Sequence, residues 1–309
     1  MEKKKIDLPL ILLPIFAISS ILFALTNINT INLPRNFNRN KNIKVEDTPT
    51  EMPIIEDIVF FKTVDEHLVY LRKKVNEENG IFSVFVKDIK TDEEYTVNSN
   101  ELFYGASLYK FPVAVATLKQ VEEKKISLED VLIYTSRDYS PGTGSISKTS
   151  YGTRYTVSET LDYLMRHSDN SGQLMLERAI TEEYLMGVFS DLALYSLTND
   201  FYHKNITSPK EVAYIIENIF CTDYLSDVNK RFLTNLMYPT LFDNRITPYL
   251  NKGLIFYHKI GSWPYSWHDC GIVHGDDKEV IVCLMSKDTN YSNFLSVAKY
   301  VGGFVNGLF

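Results

Sequence analysis

Between Val157 and Pro239 apolar residues recur at three-and-four spacing, so VSETLDYLMRHS, GQLMLERAI, EEYLMGVF, SPKEVAYIIENIF and VNKRFLTNLMY each predict an amphipathic helix. The pattern changes on both sides of this block. Upstream, a helical stripe over Val64 to Val75 precedes GIFSVFVKDIK and EEYTVN, two runs parted by a polar turn near Thr91 and Asp92 that predict a strand pair. Phe111 to Leu118 is apolar on nearly every side and predicts a central helix, with a kink expected at Pro112. Downstream, GLIFYHKIGSW, HDCGIVHG and EVIVCLMSK predict three strands, and a last helix is expected from Tyr291 to Phe309. The order helix, two strands, helical middle, three strands, helix predicts an α+β fold, an α/β sandwich. In it an antiparallel sheet is flanked by helices, and an all-helical subdomain over about 125–245 is inserted between the halves of the sheet.

Before the folded part come two segments of different character. Over residues 1–26, Lys3, Lys4 and Lys5 precede an uncharged apolar run from Leu8 to Leu25, the pattern of a signal peptide or a signal anchor. No convincing small-residue cleavage site follows, so an uncleaved anchor is expected, with the lysines inside and the body of the protein outside the membrane; cleavage would make the protein secreted. Pro9 and Pro14 argue against a buried core helix there. Residues 27–56 are rich in Asn, Pro, Thr and charge and read as a flexible linker, which leaves 57–309 as the folded domain.

Composition narrows the functional classes. The net charge of -7 over 309 residues, with no basic stripe interleaved with aromatics, argues against a nucleic-acid partner. The six histidines show no ligand spacing, so no metal is expected, and no cofactor motif is present. Cys221, Cys270 and Cys283 are odd in number, widely spaced and set in apolar segments, which predicts buried thiols in preference to a disulfide. A monomer is expected.

The chemistry-bearing residues cluster in three short motifs. Ser107-Leu-Tyr-Lys110 opens the central helix, Ser168-Asp169-Asn170 falls between two helices, and Lys259-Ile260-Gly261 lies on the first strand after the helical block. Each alone is weak. Ser107 reads equally as a helix cap, Ser168-Asp169-Asn170 as an ordinary capping string, and a second S-x-x-K, Ser145 to Lys148, sits in a Gly/Ser/Thr loop with no helical start. Three residues apart on a helix, Ser107 and Lys110 share a face, and a neutral lysine there would be a base for the serine hydroxyl. In order, spacing and context the motifs resemble the class A β-lactamases and penicillin-binding proteins. DYSPGTGSI, with Tyr139, is similar to that family's loop before its second motif, and the likeness covers about residues 58–309.

The resemblance implies a β-lactamase-like serine hydrolase with a β-lactamase/transpeptidase-like fold that acts through an acyl-enzyme on Ser107, upon a β-lactam or a D-alanyl peptide. It implies Lys110 as base, Ser168 as proton relay, and Lys259 as positive field for a substrate carboxylate. Asn170 and Tyr139 would contact substrate, Arg245 its carboxylate, and Gly261-Ser262 an oxyanion hole shared with Ser107. Three departures stand out. Ile260 replaces a hydroxyl residue, with Ser262 as the expected substitute. His268 and Asp269 fall on the next strand, where a packed or exposed His268 is expected ahead of one lining the cleft. The stretch DLALYSLTNDFYHKNITSP has no glutamate where class A enzymes carry the one that activates the deacylating water, leaving Asp191 and Asp200 as its carboxylates. A D-Ala-D-Ala carboxypeptidase or penicillin-binding protein on peptidoglycan, slow to deacylate, is therefore the alternative. A non-catalytic sensor domain is the remaining one.

Overall fold

The C-terminal strands carry apolar residues almost without interruption, as in Val280 to Met285, because they are covered on both faces. In the computed structural model, which describes residues 61–192 and 202–309, they belong to a five-stranded sheet. Its strands are β1 (Ile81–Asp88), β2 (Glu94–Val97), β7 (Ile255–Trp263), β8 (Ser266–His274) and β9 (Glu279–Lys287), all paired antiparallel in the order β2-β1-β9-β8-β7. One face packs on α1 (Val64–Glu77) and α8 (Tyr291–Asn306) through Val84, Val86, Phe256, Val273, Val282 and Leu284. The other face, with Phe85, Ile272, Ile281 and Met285, packs on the helical middle of the chain.

At the centre of that middle lies α2 (Lys110–Glu122), buried from Lys110 through Leu118, as its uniform apolarity predicts. The helix runs without a break through Pro112, where a kink is expected. The proline sits in the first turn of α2, where a backbone N–H has no partner in the helix anyway. Around α2 are α3 (Val157–Arg166), α4 (Asn170–Ile180), α5 (Glu182–Leu192), α6 (Pro209–Cys221) and α7 (Asp227–Met237). Local signals set their starts. Thr156 and Glu159 close a capping box on α3, Asp169 caps α4 by accepting from Gly172 N at 2.8 Å, and Ser208 with Pro209 opens α6.

Two expectations are corrected. The inserted region is not all helical: β4 (Val131–Ile133) pairs with β5 (Arg154–Thr156), and β3 (Phe103–Tyr104) with β6 (Ile206–Thr207). Runs of two or three residues are too short to show a period of two. The cysteines are also not all buried thiols. Cys270 and Cys283 form a disulfide, and Cys221 is exposed. The register of β8 on β9 sets Cys270 directly opposite Cys283, with Cα atoms 4.0 Å apart, a proximity that only strand pairing creates.

Residues Val59–Phe309 form one compact unit. Residues 1–26 and 27–56 lie outside the described residues, as does Asp200. Among the described residues no helix is long and apolar enough to cross a membrane.

Candidate active site

Ser107 sits in a 3-10 turn, Ala106–Tyr109, that leads into α2. In such a turn side chains three apart eclipse, so Lys110 stands over Ser107 and its Nζ lies 3.0 Å from Ser107 Oγ. The turn is held open at a strained point. Ala106 has φ 49°, and its carbonyl accepts from Asn205 Nδ2 at 2.9 Å while Gly105 N donates to Asn205 O at 2.7 Å. Asn205, at the start of β6, is thus a support that the motifs did not reveal.

Lys110 Nζ also lies 2.7 Å from Ser168 O, 3.4 Å from Ser168 Oγ and 2.6 Å from Asn170 Oδ1. Ser168 is fully buried with φ 53°, a left-handed backbone that lets Ser168 and Asn170 both face the lysine from the head of α4. Asp169 between them points the other way. Its carboxylate accepts from Ser145 N at 2.6 Å, Ile146 N at 2.9 Å and Gly172 N at 2.8 Å, and so fastens the loop after Tyr139 to the second motif. Asn170 Nδ2 completes the contact by donating to Pro141 O at 2.9 Å. Tyr139 itself stands exposed beside this loop, and the second S-x-x-K begins in the stretch that Asp169 holds.

Lys259 arrives from edge strand β7, with its Nζ donating to Ser168 Oγ at 2.9 Å and to Ile260 O at 2.9 Å. Gly261 allows the close approach of β7 to the nucleophile turn, since a Cβ there would lie 2.8 Å from Gly105 O and 2.8 Å from His268 Cδ2. His268 is packed, not cleft-lining. Its Nε2 donates to Tyr104 O at 2.8 Å while Nδ1 accepts from Ser286 N, and burial holds its pKa down to about 4, so the ring is neutral. Arg245 is buried behind the strand. Its guanidinium donates to Gly261 O at 2.9 Å, to His268 O, and to Ser262 Oγ at 2.6 Å, so it reaches the exposed Ser262 without opening to solvent itself.

The electrostatics fit a lysine base. Burial lowers Lys110 to a pKa of about 7, against the smaller opposing pull of Asp169 and Glu177. Burial first, then Lys110 and Arg245, push Lys259 down as well. A neutral Lys110 can accept the Ser107 proton, which an ordinary lysine cannot do near pH 7. Glu177, on the Asn170 face of α4 seven residues on, is a largely buried carboxylate. Burial raises its pKa, Gln173 Nε2 donates to it at 2.8 Å, and its charge is felt at Lys110. The sequence signal for it was the helical spacing Asn170, Gln173, Glu177. Asp191, by contrast, accepts from the Tyr224 hydroxyl at 3.4 Å, beside Lys119 at the far end of α2. Nine residues of helix put that end about 13 Å from Lys110, so Asp191 is not a group for the acyl ester.

An antiparallel sheet with a serine–lysine pair at the head of a central helix, and a second lysine on the edge strand, defines a serine hydrolase of the acyl-enzyme type. Comparison with known proteins gives the family. Residues 69–302 match the model of the β-lactamase enzyme family, and the chain belongs to it. Among curated relatives it is similar to β-lactamase VEB-1 of Pseudomonas aeruginosa, 23% identical over 215 residues that span 64% of this chain and 72% of the relative. Among solved structures, a mutant of PBP-A in an acyl-enzyme complex with penicillin G superposes with a TM-score of 0.71 at 20% identity, covering 79% of this chain and 96% of that one. A β-lactamase from Sphaerobacter thermophilus does so with a TM-score of 0.70 at 16% identity, covering 79% and 98%. The chain is a β-lactamase-like serine hydrolase. No metal-ligating cluster occurs among the described residues.

Proposed function

We propose that Ser107 is the nucleophile that opens β-lactam amides, with Lys110 as its base. The observation that carries the reading is the 3.0 Å Nζ–Oγ contact combined with the burial that lowers the lysine. Lys110 takes the Ser107 proton as Oγ attacks the lactam carbonyl, and the C–N bond breaks as Ser168 passes a proton to the leaving nitrogen. Lys110, in contact with both hydroxyls, replenishes it. The backbone N–H groups of Ser107 and Ser262 receive the oxyanion. Lys259, with Arg245 acting through Ser262, attracts the substrate carboxylate, and Asn170 and Tyr139 border the side-chain end of the cleft.

A second reading has support of its own. The stretch 191–209 carries no glutamate, and Asp191 is engaged with Tyr224 away from the serine. With no glutamate in that stretch, the reading is slow deacylation of the lactam adduct, the behaviour of a D-alanyl carboxypeptidase whose own substrate is peptidoglycan. The apolar run after three lysines supports a membrane anchor with the catalytic domain outside a bacterial cell, and the Cys270–Cys283 bridge fits an oxidising compartment.

The deciding experiment follows intact mass over time with a chromogenic cephalosporin while hydrolysis is read in parallel. A transient adduct with many turnovers supports the lactamase; a stable adduct at about one turnover, with release of D-alanine from a stem-peptide mimic, supports the peptidase. No adduct on Ser107 overturns the nucleophile.

A further inference from the structure

Behind β7, on the sheet face opposite Lys259, lies a buried group of charges that none of the three motifs contains. His258 is wholly buried. Its Nδ1 donates to Asp269 Oδ1 at 2.6 Å and its Nε2 to Asp243 Oδ1 at 3.0 Å, so both ring nitrogens carry protons and the ring is an imidazolium. Space for the ring comes from Gly271, its cross-strand partner, where a Cβ would lie 2.9 Å from His258 Cβ and 2.0 Å from Tyr257 O.

Both carboxylates also grip the segment 240–246. Asp243 accepts from Thr240 N at 3.1 Å and Thr240 Oγ1 at 2.5 Å, and Asp269 Oδ2 accepts from Ile246 N at 3.1 Å. Arg245 lies between these two clamps, with its guanidinium 5.6 Å from the centre of the Phe294 ring on α8. From there it ties together Gly261 O, His268 O and Ser262 Oγ, the end of β7 that borders the nucleophile turn. Two cations and two carboxylates, buried except at Asp243, thus form one charge-balanced unit reaching from the back of the sheet to the cleft.

We infer that Asp243, His258 and Asp269 are positioning residues that hold Arg245 against Ser262, so that Ser262 recognises an anionic substrate. Ser262 Oγ accepts from Arg245, which leaves its own proton to donate to a carboxylate, and Ile260 offers no hydroxyl of its own beside it. Burial disfavours the imidazolium, but Asp269 first and Asp243 with it outweigh burial and lift its pKa to about 9. The groups facing the ring are Asp243 from the 240–246 segment and Asp269 from β8, while Arg245 and, through it, Tyr291 of α8 adjoin Asp269. Lys259 is on the same strand but turned to the other face.

The inference rests on acylation at Ser107 only for its kinetic readout. With a chromogenic cephalosporin and its methyl ester as probes, His258→Gln should raise the apparent KM for the acid at least tenfold and for the ester less than twofold, with the limiting acylation rate within about threefold. Equal losses on both probes, or none, overturn it. A milder variant, Asp243→Asn at the partly exposed end, should move the alkaline rise in the acid's KM from about pH 9 toward neutrality. Asp243 is not among the charges acting on Lys259, so a lysine origin predicts no movement, and an unmoved limb overturns the inference. Amide exchange in the same variant supplies a readout free of any acylation: Ile246, whose N–H donates to Asp269 next to Arg245, should lose protection at pH 8.5. Unchanged exchange at Ile246 counts against the positioning role even if the nucleophile assignment fails.

Discussion

Lys259 Nζ donates to Ser168 Oγ at 2.9 Å, and both side chains are buried. The hydroxyl is shared, because Lys110 Nζ lies 3.4 Å from the same oxygen. Two lysines around one hydroxyl cannot both keep full charge at low cost, so the site favours releasing a proton from one of them. That arrangement ties the serine motif, the loop motif and the edge strand into one proton path.

Acylation should depend on Lys110 being neutral. Its pKa near 7 predicts an acylation rate that falls about tenfold per pH unit below that point and levels off above it. Lys110→Arg, charged at every accessible pH, should slow acylation by roughly 10² to 10⁴. Stopped-flow rates with a chromogenic cephalosporin test this, and a variant within tenfold of wild type would remove the lysine from the base role.

Glu177 favours the protonated form of Lys110, so neutralising it has a defined sign. In Glu177→Gln the lysine loses an anion that raises its pKa, and the acid limb of the acylation profile should shift to lower pH. A shift in the opposite direction, or none, contradicts the electrostatic contact.

Asp169 satisfies three backbone donors in a buried place. Asp169→Ala leaves them unpaired and should cost about 3–5 kcal/mol, while loosening the loop that Asn170 also holds. Urea unfolding measures the stability. Retention of the wild-type midpoint would show that water or rearrangement replaces the carboxylate.

His258 makes stability pH-dependent with a known sign. Its folded pKa, about 9, exceeds the unfolded 6.5, so the folded state binds more protons between those values. The stabilisation, roughly 3 kcal/mol at most from the size of the shift, is complete below pH 6.5 and is lost as pH rises through 9. The buried lysines act oppositely, so the test is the difference in unfolding free energy between wild type and His258→Gln. That difference should shrink from pH 6 to pH 9.5, and a constant difference would refute the linkage.

The disulfide closes a short loop, Cys270 and Cys283 being 13 residues apart. Reduction should destabilise the domain by about 2–4 kcal/mol, and the native protein should titrate one free thiol, Cys221. Three thiols in the unreduced protein would contradict the bridge.

The long periodic segments needed no tertiary information. Three-and-four spacing marked α3, α4, α6 and α7, alternation and apolar runs marked the sheet strands, and the motif order marked Ser107, Lys110, Ser168 and Lys259, because each signal is carried by neighbours along the chain. Asn170 and Gly261 were legible for the same reason. What lay beyond the sequence depends on which strands and loops meet. The Cys270–Cys283 bridge follows from register, the ribbon of β3 with β6 that brings Asn205 to Ala106 is two residues long, and Asp191 was separated from the serine only by the direction of α2. The fate of Arg245 and the charge on His258 were likewise decided by tertiary structure, because burial and the partners across β7 and β8 determine a group's charge, and neither is written in the local pattern.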